Sequence, residues 1–413
     1  MTRKKRDSRE VHLPSAEEIQ NELAQVESID DFFGKEGVFG KLFARTIEEM
    51  LEAELSAHLG YEKYEASGRN SGNSRNGKRE SSLQTSVGKQ RIRVPRDRNG
   101  EFQSPLLEQR RSNELEQKIT ALYAQGTTTR DIQETMADIY GIEVSPETIS
   151  AITDKVWPLV EEWQNRPLAA VYPIVFLDAL HVKMRRDGKI ETVAVYIVLA
   201  VDTDGHKDVL GHWVGDGAEG ANFWLSVLTD LQSRGVEDIL IACVDGLTGF
   251  AQAIEALYPQ TIVQRCIIHQ IRHTLRYVTW TDQTAFMQDL RRVYQAKTRE
   301  EGERNLGELA EKWRRRYPAA IRSWETNWSE LSSFFDFPAQ IRRLIYTNNA
   351  IEGYHRQLRK VTKNKAVFPT PKSVRKLLYL AHRNIQKKWS APIPNWAKIR
   401  NQLAIRFEGR FPL

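Results

Sequence analysis

Three acidic residues stand where an acid is costly unless it has work to do. The apolar run Val171–Leu177 ends at Asp178, and a second, Ile239–Val244, ends at Asp245; Glu352 lies in a helical pattern that turns basic just after it. Short apolar runs of this kind read as buried β-strands. A carboxylate at the carboxyl end of a central strand faces the crevice where open α/β sheets bind ligands. Two such strands side by side, with a helix bringing the third acid, make a pocket for hard divalent cations. Two ions about 4 Å apart could there activate a hydroxyl and stabilise the departing oxygen of a phosphodiester. All-carboxylate ligation suits magnesium, which keeps waters and takes its other ligands from substrate phosphate. In the last helix Ile351, Tyr354 and Leu358 recur on one stripe and should pack on the sheet, with Glu352 at its edge. His355, Arg356 and Arg359 follow on one side, an arrangement that suits an acid at a metal beside a phosphate backbone. Each acid alone reads as a cap or a solvated group; the three in this strand order do not.

The elements around them follow a recognisable order. Strands are expected at Val171–Leu177, Thr192–Val201 and Val209–Val214, divided by the turn residues Arg186-Asp187-Gly188 and Asp204-Gly205. Strands Ile239–Val244 and Thr261–Cys266 then alternate with helices Phe223–Leu231, Phe250–Leu257 and Ile267–Val278. Three adjacent strands followed by a β-α-β-α-β run is the order of a ribonuclease H-like domain, a mixed five-stranded α/β sheet flanked by helices. In that order the first and fourth strands are neighbours, so Asp178 and Asp245 meet. Strand signals vanish over residues 279–338, where Trp280, Trp313, Trp324 and Trp328 fall in polar, helix-favouring sequence. This predicts an all-α insertion, after which Thr347–Thr362 returns Glu352 to the sheet.

With 413 residues the chain exceeds the size at which one core keeps growing. Its 40% hydrophobic and 28% charged residues are ordinary for a globular protein. There is no apolar span long enough for a transmembrane helix and no secretory signal at the start. Two cysteines in apolar surroundings, Cys243 and Cys266, fit a reducing cytoplasm. Cys266, His269 and His273 do not complete a zinc site, because no second ligand pair follows at the right spacing.

Net charge is +6, and its distribution is more informative than its size. Arg69, Arg75, Lys78, Arg79, Lys89, Arg91, Arg93, Arg96 and Arg98 crowd one segment against Glu80 and Asp97, with Gly, Ser and Asn filling its first half. Such a segment is either a solvated linker or, as the charge favours, a contact for phosphate backbones. Its second half alternates as a short exposed ribbon turning at Gly88. Before it, residues 35–59 carry a broad apolar stripe, with Gly60 as C-cap, that needs other N-terminal helices or a second copy of the chain as partner. After it, residues 113–157 read as three short helices begun by Asn113, Thr128 and Ser145-Pro146. The second carries Ile132, Met136 and Ile139; the third turns Thr148, Ser150, Thr153 and Lys155 outward. This resembles a helix-turn-helix module, and a plain three-helix packing unit fits nearly as well. The expected organisation is a helical region at 1–60 for dimerisation or DNA binding, a DNA-contacting basic linker or ribbon at 61–112 and the helix-turn-helix-like module at 113–160. The ribonuclease H-like domain follows in two parts, 168–278 and 339–390, interrupted by the insertion at 279–338 and followed by a tail at 391–413. The N-terminal region as a whole is expected to be mainly α.

The chain further resembles the Mutator-type family of bacterial insertion-sequence transposases, a branch of the DDE recombinases, from about residue 35 to Trp389. Arg69-Asn-Ser-Gly72, Val94-Pro-Arg-Asp-Arg98 and Ser145-Pro-Glu-Thr-Ile-Ser150 carry the resemblance in the N-terminal half. Phe176-Leu-Asp-Ala-Leu180, Phe223–Leu228, Val244-Asp-Gly-Leu247, Gln264–His269 and Tyr346–Gly353 carry it in the other. The resemblance implies that Asp178, Asp245 and Glu352 are the catalytic acids and hold two magnesium ions, with manganese as a substitute. It also implies that His269 contacts the scissile phosphate; a histidine bonded within the core is the plainer alternative. Gly353 and His355 depart from the family's usual residues. The implied protein is a transposase that binds terminal inverted repeats and target DNA as a homodimer, in the bacterial cytoplasm at the nucleoid. It would cleave phosphodiester bonds and transfer the freed 3′-hydroxyl, through a circular intermediate. The DNA-binding set is Arg69, Arg75, Lys78, Arg79, Arg91, Arg93, Arg96, Arg98, Lys155, Arg356, Arg359 and Lys363. Trp324 and Trp328 are the preferred candidates for stacking on a displaced base. The alternatives are a ribonuclease H-like nuclease and a transposase-derived DNA-binding regulator.

Overall fold

The computed structural model describes residues 15–412 apart from 25, 34–36, 67–71, 86–87, 109–112, 218–219, 248 and 347. The chain divides into two compact units: residues up to Tyr123 with Thr127–Asp154, and Ala124–Gly126 with Lys155 onward. No helix among the described residues is long and apolar enough to cross a membrane.

In the first unit the helix Val38–Leu59 ends as its sequence predicts, at Gly60 in the left-handed region with its N–H on the Ser56 carbonyl. The short N-terminal helices Ala16–Leu23 and Ile29–Phe33 touch it, as expected of one of its two candidate partners, but most of its apolar face meets a partner that was not expected. Strands β1 (Arg75–Thr85) and β2 (Gly88–Asp97) form an antiparallel ribbon that packs on it, with Leu51, Ile92 and Val94 at the centre of the contact. The described N-terminal elements are mostly helices, as expected, with this ribbon among them; alternation in β2 buries Ile92 and Val94 while Arg91 and Arg93 face out. The three following helices are Asn113–Ala124, Thr129–Tyr140 and Pro146–Asp154. Thr128 caps the second by accepting from the Asp131 N–H, and Ser145 caps the third by accepting from the Thr148 N–H. Ile132 and Met136 are buried as predicted, but Ile139 is 70% exposed and Thr153, expected outside, is buried. Helical spacing identified the stripe and overestimated its width.

The second unit is built on a sheet of five strands, β3 (Val171–Arg186), β4 (Lys189–Val201), β5 (Lys207–Val214), β6 (Asp238–Val244) and β7 (Ile262–Arg265), in the order β5-β4-β3-β6-β7. The first three are antiparallel neighbours; β6 and β7 run parallel to β3. The β3–β4 hairpin turns at Asp187 and Gly188, both at positive φ, as a two-residue Asp-Gly turn does. Val175, Leu177 and Ala179 point to one face, where helices Ala221–Ser233 and Phe250–Leu257 close the core around Trp224, Leu228 and Phe250. By the two-residue period of a strand, Ile174, Phe176 and Asp178 point to the other. Helix Asn349–Thr362 packs on β3, and helix Pro371–Gln386 packs on β5.

Between β7 and that last pair come helix Ile267–Leu275 and a helical stretch including Gln283–Tyr294, Arg299–Trp313 and Pro318–Thr326. Residues 391–413, expected to be a tail, instead contain helix Trp396–Arg406 and close on the sheet. The Trp396 indole donates to the Thr203 carbonyl at 2.9 Å, and Arg410 grips the Asp238 carboxylate at 2.7 and 2.8 Å. Arg410 at the end of the chain and Asp238 at the start of β6 are too far apart in sequence for a local pattern to reveal the pair.

Candidate active site

Asp178 does not end its strand. β3 continues to Arg186 along β4, and Asp178 marks the point where pairing with β6 stops. The last parallel pair is Leu177 with Val244, so one step further Asp178, still paired with β4, and Asp245, just past the end of β6, stand side by side. Glu352 stands in the first turn of helix Asn349–Thr362, where the helix dipole favours an acid. All three acids line one cleft of about 580 Å³, shared with His181, His269, Arg272, Asn349, His355, Arg356 and Arg359. The expected set is thereby brought together, with Arg356 and Arg359 on its rim and Lys363 exposed just past the helix end.

Each carboxylate in this cleft already has a partner. Asp178 Oδ1 accepts the Ala179 N–H at 2.8 Å, and its Oδ2 lies 3.5 Å from His355 Nδ1. Asp245 Oδ1 accepts the Leu247 N–H at 3.2 Å. Glu352 Oε1 lies 3.1 Å from the Arg272 guanidinium and 3.4 Å from His269 Nε2. The donor atoms of the three acids do not all fall within 4.8 Å of one another. Among the described residues the group that does is His58, Asp97 and Glu101, in the other unit. There Asp97 accepts from the Asn73 amide and from the Glu101 and Phe102 N–H groups. Those bonds close the turn that follows β2. In the cleft, an aspartate within β3, another just past the end of β6 and a glutamate on the facing helix offer an all-oxygen donor set of the kind magnesium takes.

His355 is not the flanking cation its position suggested. It is 2% exposed, and burial lowers its pKa to about 3, with Arg359, His269 and His181 pushing the same way. It faces Asp178 as a neutral ring. Sequence reasoning missed Arg272, although it follows His269 by three residues on one helix and that spacing puts both on one side. Cys266, by contrast, is buried at the helix start, and burial raises its thiol pKa.

The helix that carries Glu352 is held from behind. Tyr354 is buried, and its hydroxyl shares a 2.8 Å hydrogen bond with His212 Nε2 on β5. The rings of Trp163, Tyr379, His382 and Trp389 crowd around the pair. Burial holds His212 far below the usual imidazole pKa and lifts Tyr354 far above the usual phenol value, so both stay neutral.

The other predicted contacts sort less uniformly. Arg69 lies outside the described residues. Three cations of the ribbon are engaged within their own unit: Arg75 donates to Ser56 and Tyr61, Lys78 pairs with Glu52 at 2.7 Å, and Arg93 pairs with Glu48 at 3.0 Å. Arg79, Arg91, Arg96 and Arg98 are exposed, and no carboxylate among the described residues pairs with them; Lys155 is also exposed. Trp324 cannot stack on a base. It is fully buried, and its indole donates to Thr274 Oγ1 at 2.9 Å. Trp328 is half-buried against Phe335. Trp280, which the sequence did not favour, is 85% exposed.

Fold and cleft together define a mixed α/β protein whose carboxylates gather at the carboxyl ends of its parallel strands, where sheets of this class hold ligands. Residues 15–392 match the family described as Transposase, Mutator family, and the chain belongs to that family. A probable transposase for insertion sequence element ISRM3-like from Sinorhizobium fredii is 43% identical over 95% of this chain and 98% of its own length. The transposase for insertion sequence element ISRM3 from Rhizobium meliloti is 42% identical over the same shares. A solved structure, the Drosophila P element transposase strand transfer complex, aligns with 76% of this chain and 89% of its own at 11% identity and a TM-score of 0.29, too distant a likeness to carry an argument.

Proposed function

We propose that the protein is the transposase of a bacterial insertion sequence, and that Asp178, Asp245 and Glu352 hold two divalent cations, magnesium by donor chemistry, at which DNA ends are cut and joined. The observation that carries this is the β3–β6 register, which sets two aspartates side by side facing a helix-borne glutamate in one cleft. The strand order, three antiparallel strands followed by two parallel ones, supports a ribonuclease H-like reading of the sheet. When bound, the cations lower the pKa of an attacking hydroxyl and neutralise charge on the phosphodiester.

The chain's own residues do the rest. Asp178 and Asp245 are fixed by the sheet and by backbone N–H groups, so the donor oxygens are preorganised. His355 keeps Asp178 oriented without adding charge. Arg272 neutralises Glu352 until a cation arrives and is then free to meet a phosphate oxygen; His269 stands within reach of the same phosphate. Arg356 and Arg359 sit where the flanking backbone would pass. The same cleft serves water in cleavage and a 3′-hydroxyl in strand transfer. Two copies acting on paired terminal inverted repeats, in the bacterial cytoplasm, complete this reading, with a circular intermediate before insertion.

Asp178→Asn tests it. End-DNA binding by mobility shift should match the wild type, while joining of a pre-cut 3′-hydroxyl end falls to background. Undiminished joining would reject the assignment. Hydrolysis without joining in the wild type would favour a nuclease instead.

A further inference from the structure

The helix that brings His269 and Arg272 to the cleft continues beyond it with two distinct faces. Its inner face is buried through Ile267, Gln270, Ile271 and Thr274, and Val278 continues the same side. Its outer face starts at His269 and Arg272, beside Glu352, and continues through His273, Arg276 and Tyr277 to Trp280, every one after His269 exposed. Backbone bonds from Arg276, Tyr277 and Val278 back to residues 273, 274 and 275 carry the spiral past the helix end. Cations and aromatic rings thus alternate along one stripe that leads out of the cleft.

Two features of the stripe need a ligand. Trp280 is 85% exposed and Tyr277 44%, although indole and phenol rings gain most from contact. Arg276 is exposed, and among the described residues no acid pairs with it. Tyr277 is held edge-on by the His273 ring, which leaves one face bare, and among the described residues Trp280 meets no other ring. A bare ring beside a cation without a counter-ion, Trp280 with Arg276, matches one chemistry: stacked bases on an anionic backbone. From His269 to Tyr277 the stripe covers roughly 12 Å at the helical rise, the length of three or four stacked nucleotides on one strand. A duplex hides its base faces, so the rings favour unpaired DNA.

We infer that the face His269–Trp280 is a track for a single DNA strand leaving the active site, with Arg272 and Arg276 on its phosphates and Tyr277 and Trp280 stacking on unpaired bases. This rests on the transposase reading of the cleft for its direction, and it extends the phosphate contacts of His269 and Arg272 outward to Arg276, Tyr277 and Trp280, on which that reading is silent.

The test measures binding of the full-length protein to a fluorescein-labelled oligothymidylate and to a duplex of matched length, at one fixed salt concentration. Trp280→Ala should weaken single-strand binding by roughly 5- to 140-fold, the range for loss of one stacked base. Trp280→Phe, which keeps a ring, should restore most of it, and duplex binding should stay within about twofold of wild type by the same stacking argument. An unchanged melting temperature for Trp280→Ala excludes misfolding. Wild-type single-strand affinity in Trp280→Ala, or an equal loss on both probes, would overturn the inference. Asp178→Asn run in parallel separates the two claims. If it joins ends normally while Trp280→Ala loses single-strand binding, the track stands and the catalytic reading falls. If Asp178→Asn loses joining while Trp280→Ala binds single strands normally, the catalytic reading stands and the track falls.

Discussion

Replacing His382 with phenylalanine should leave the protein no less stable at neutral pH and much less sensitive to acid. His382 is fully buried among Trp163, Tyr354, Trp389 and His212, and neither ring nitrogen has a hydrogen-bond partner among the described residues. Burial, reinforced by the Arg166 charge, lowers its pKa to about 3. An imidazole in the unfolded chain titrates near 6.5. The unfolded state therefore binds more protons between these values, and stability must fall as pH drops through that window. Working the linkage from pH 7 to pH 5 gives a loss of about 2 kcal/mol from this residue alone, and about 3 kcal/mol by pH 4. Phenylalanine keeps the ring contacts, removes two unpaired polar atoms and cannot be protonated. Urea unfolding followed by tryptophan fluorescence is the natural assay, because all ten tryptophans lie beyond residue 155, in the unit that contains His382. His212 and His355 also have lowered pKa values, so some acid sensitivity will remain in the variant. The difference between the two proteins isolates His382. Equal losses between pH 7 and pH 5 would refute the reasoning.

Tyr354→Phe removes the hydroxyl that meets His212 Nε2 and should destabilise by about 1–3 kcal/mol in the same assay, as expected when a buried nitrogen loses its partner. End joining should fall along with it, because the glutamate helix loses its tether to β5. Trp324→Ala should cost about 3–5 kcal/mol through the cavity it opens. Trp280→Ala, at an exposed site, should stay within about 0.5 kcal/mol of wild type. Manganese should raise the unfolding free energy of the wild type by about 2.7 kcal/mol at a hundredfold excess over its dissociation constant, and should leave the Asp178→Asn, Asp245→Asn double variant unmoved. Equal stabilisation of both would place the cation elsewhere.

The order of strands and helices in the second unit was legible because it is written in local periodicity. Helix Phe250–Leu257 came out at the expected bounds, and β6 differed by one residue. Strand ends were less legible: β3 reaches Arg186 because β4 pairs with it all the way, a partner that the composition of residues 178–186 does not announce. The three acids could be singled out since an acid that closes an apolar run has few structural uses. Their neighbours could not. His355 reads as a cation by type and is neutral by burial; Arg272 reads as a surface residue and is the counter-charge of Glu352.

What the chain dictated unaided, then, was which residues lie in strands, which in helices, and which side chains have no ordinary place in a core, since all of these follow from spacing along the backbone. Folding in three dimensions decided which cations are bound internally, which tryptophan is left in solvent, and what covers the helix at Val38–Leu59. Those outcomes depend on partners tens or hundreds of residues away, as with Arg93 on Glu48 and Tyr354 on His212. Charge and ring size show that a side chain needs a partner; only the packed structure selects which one it meets.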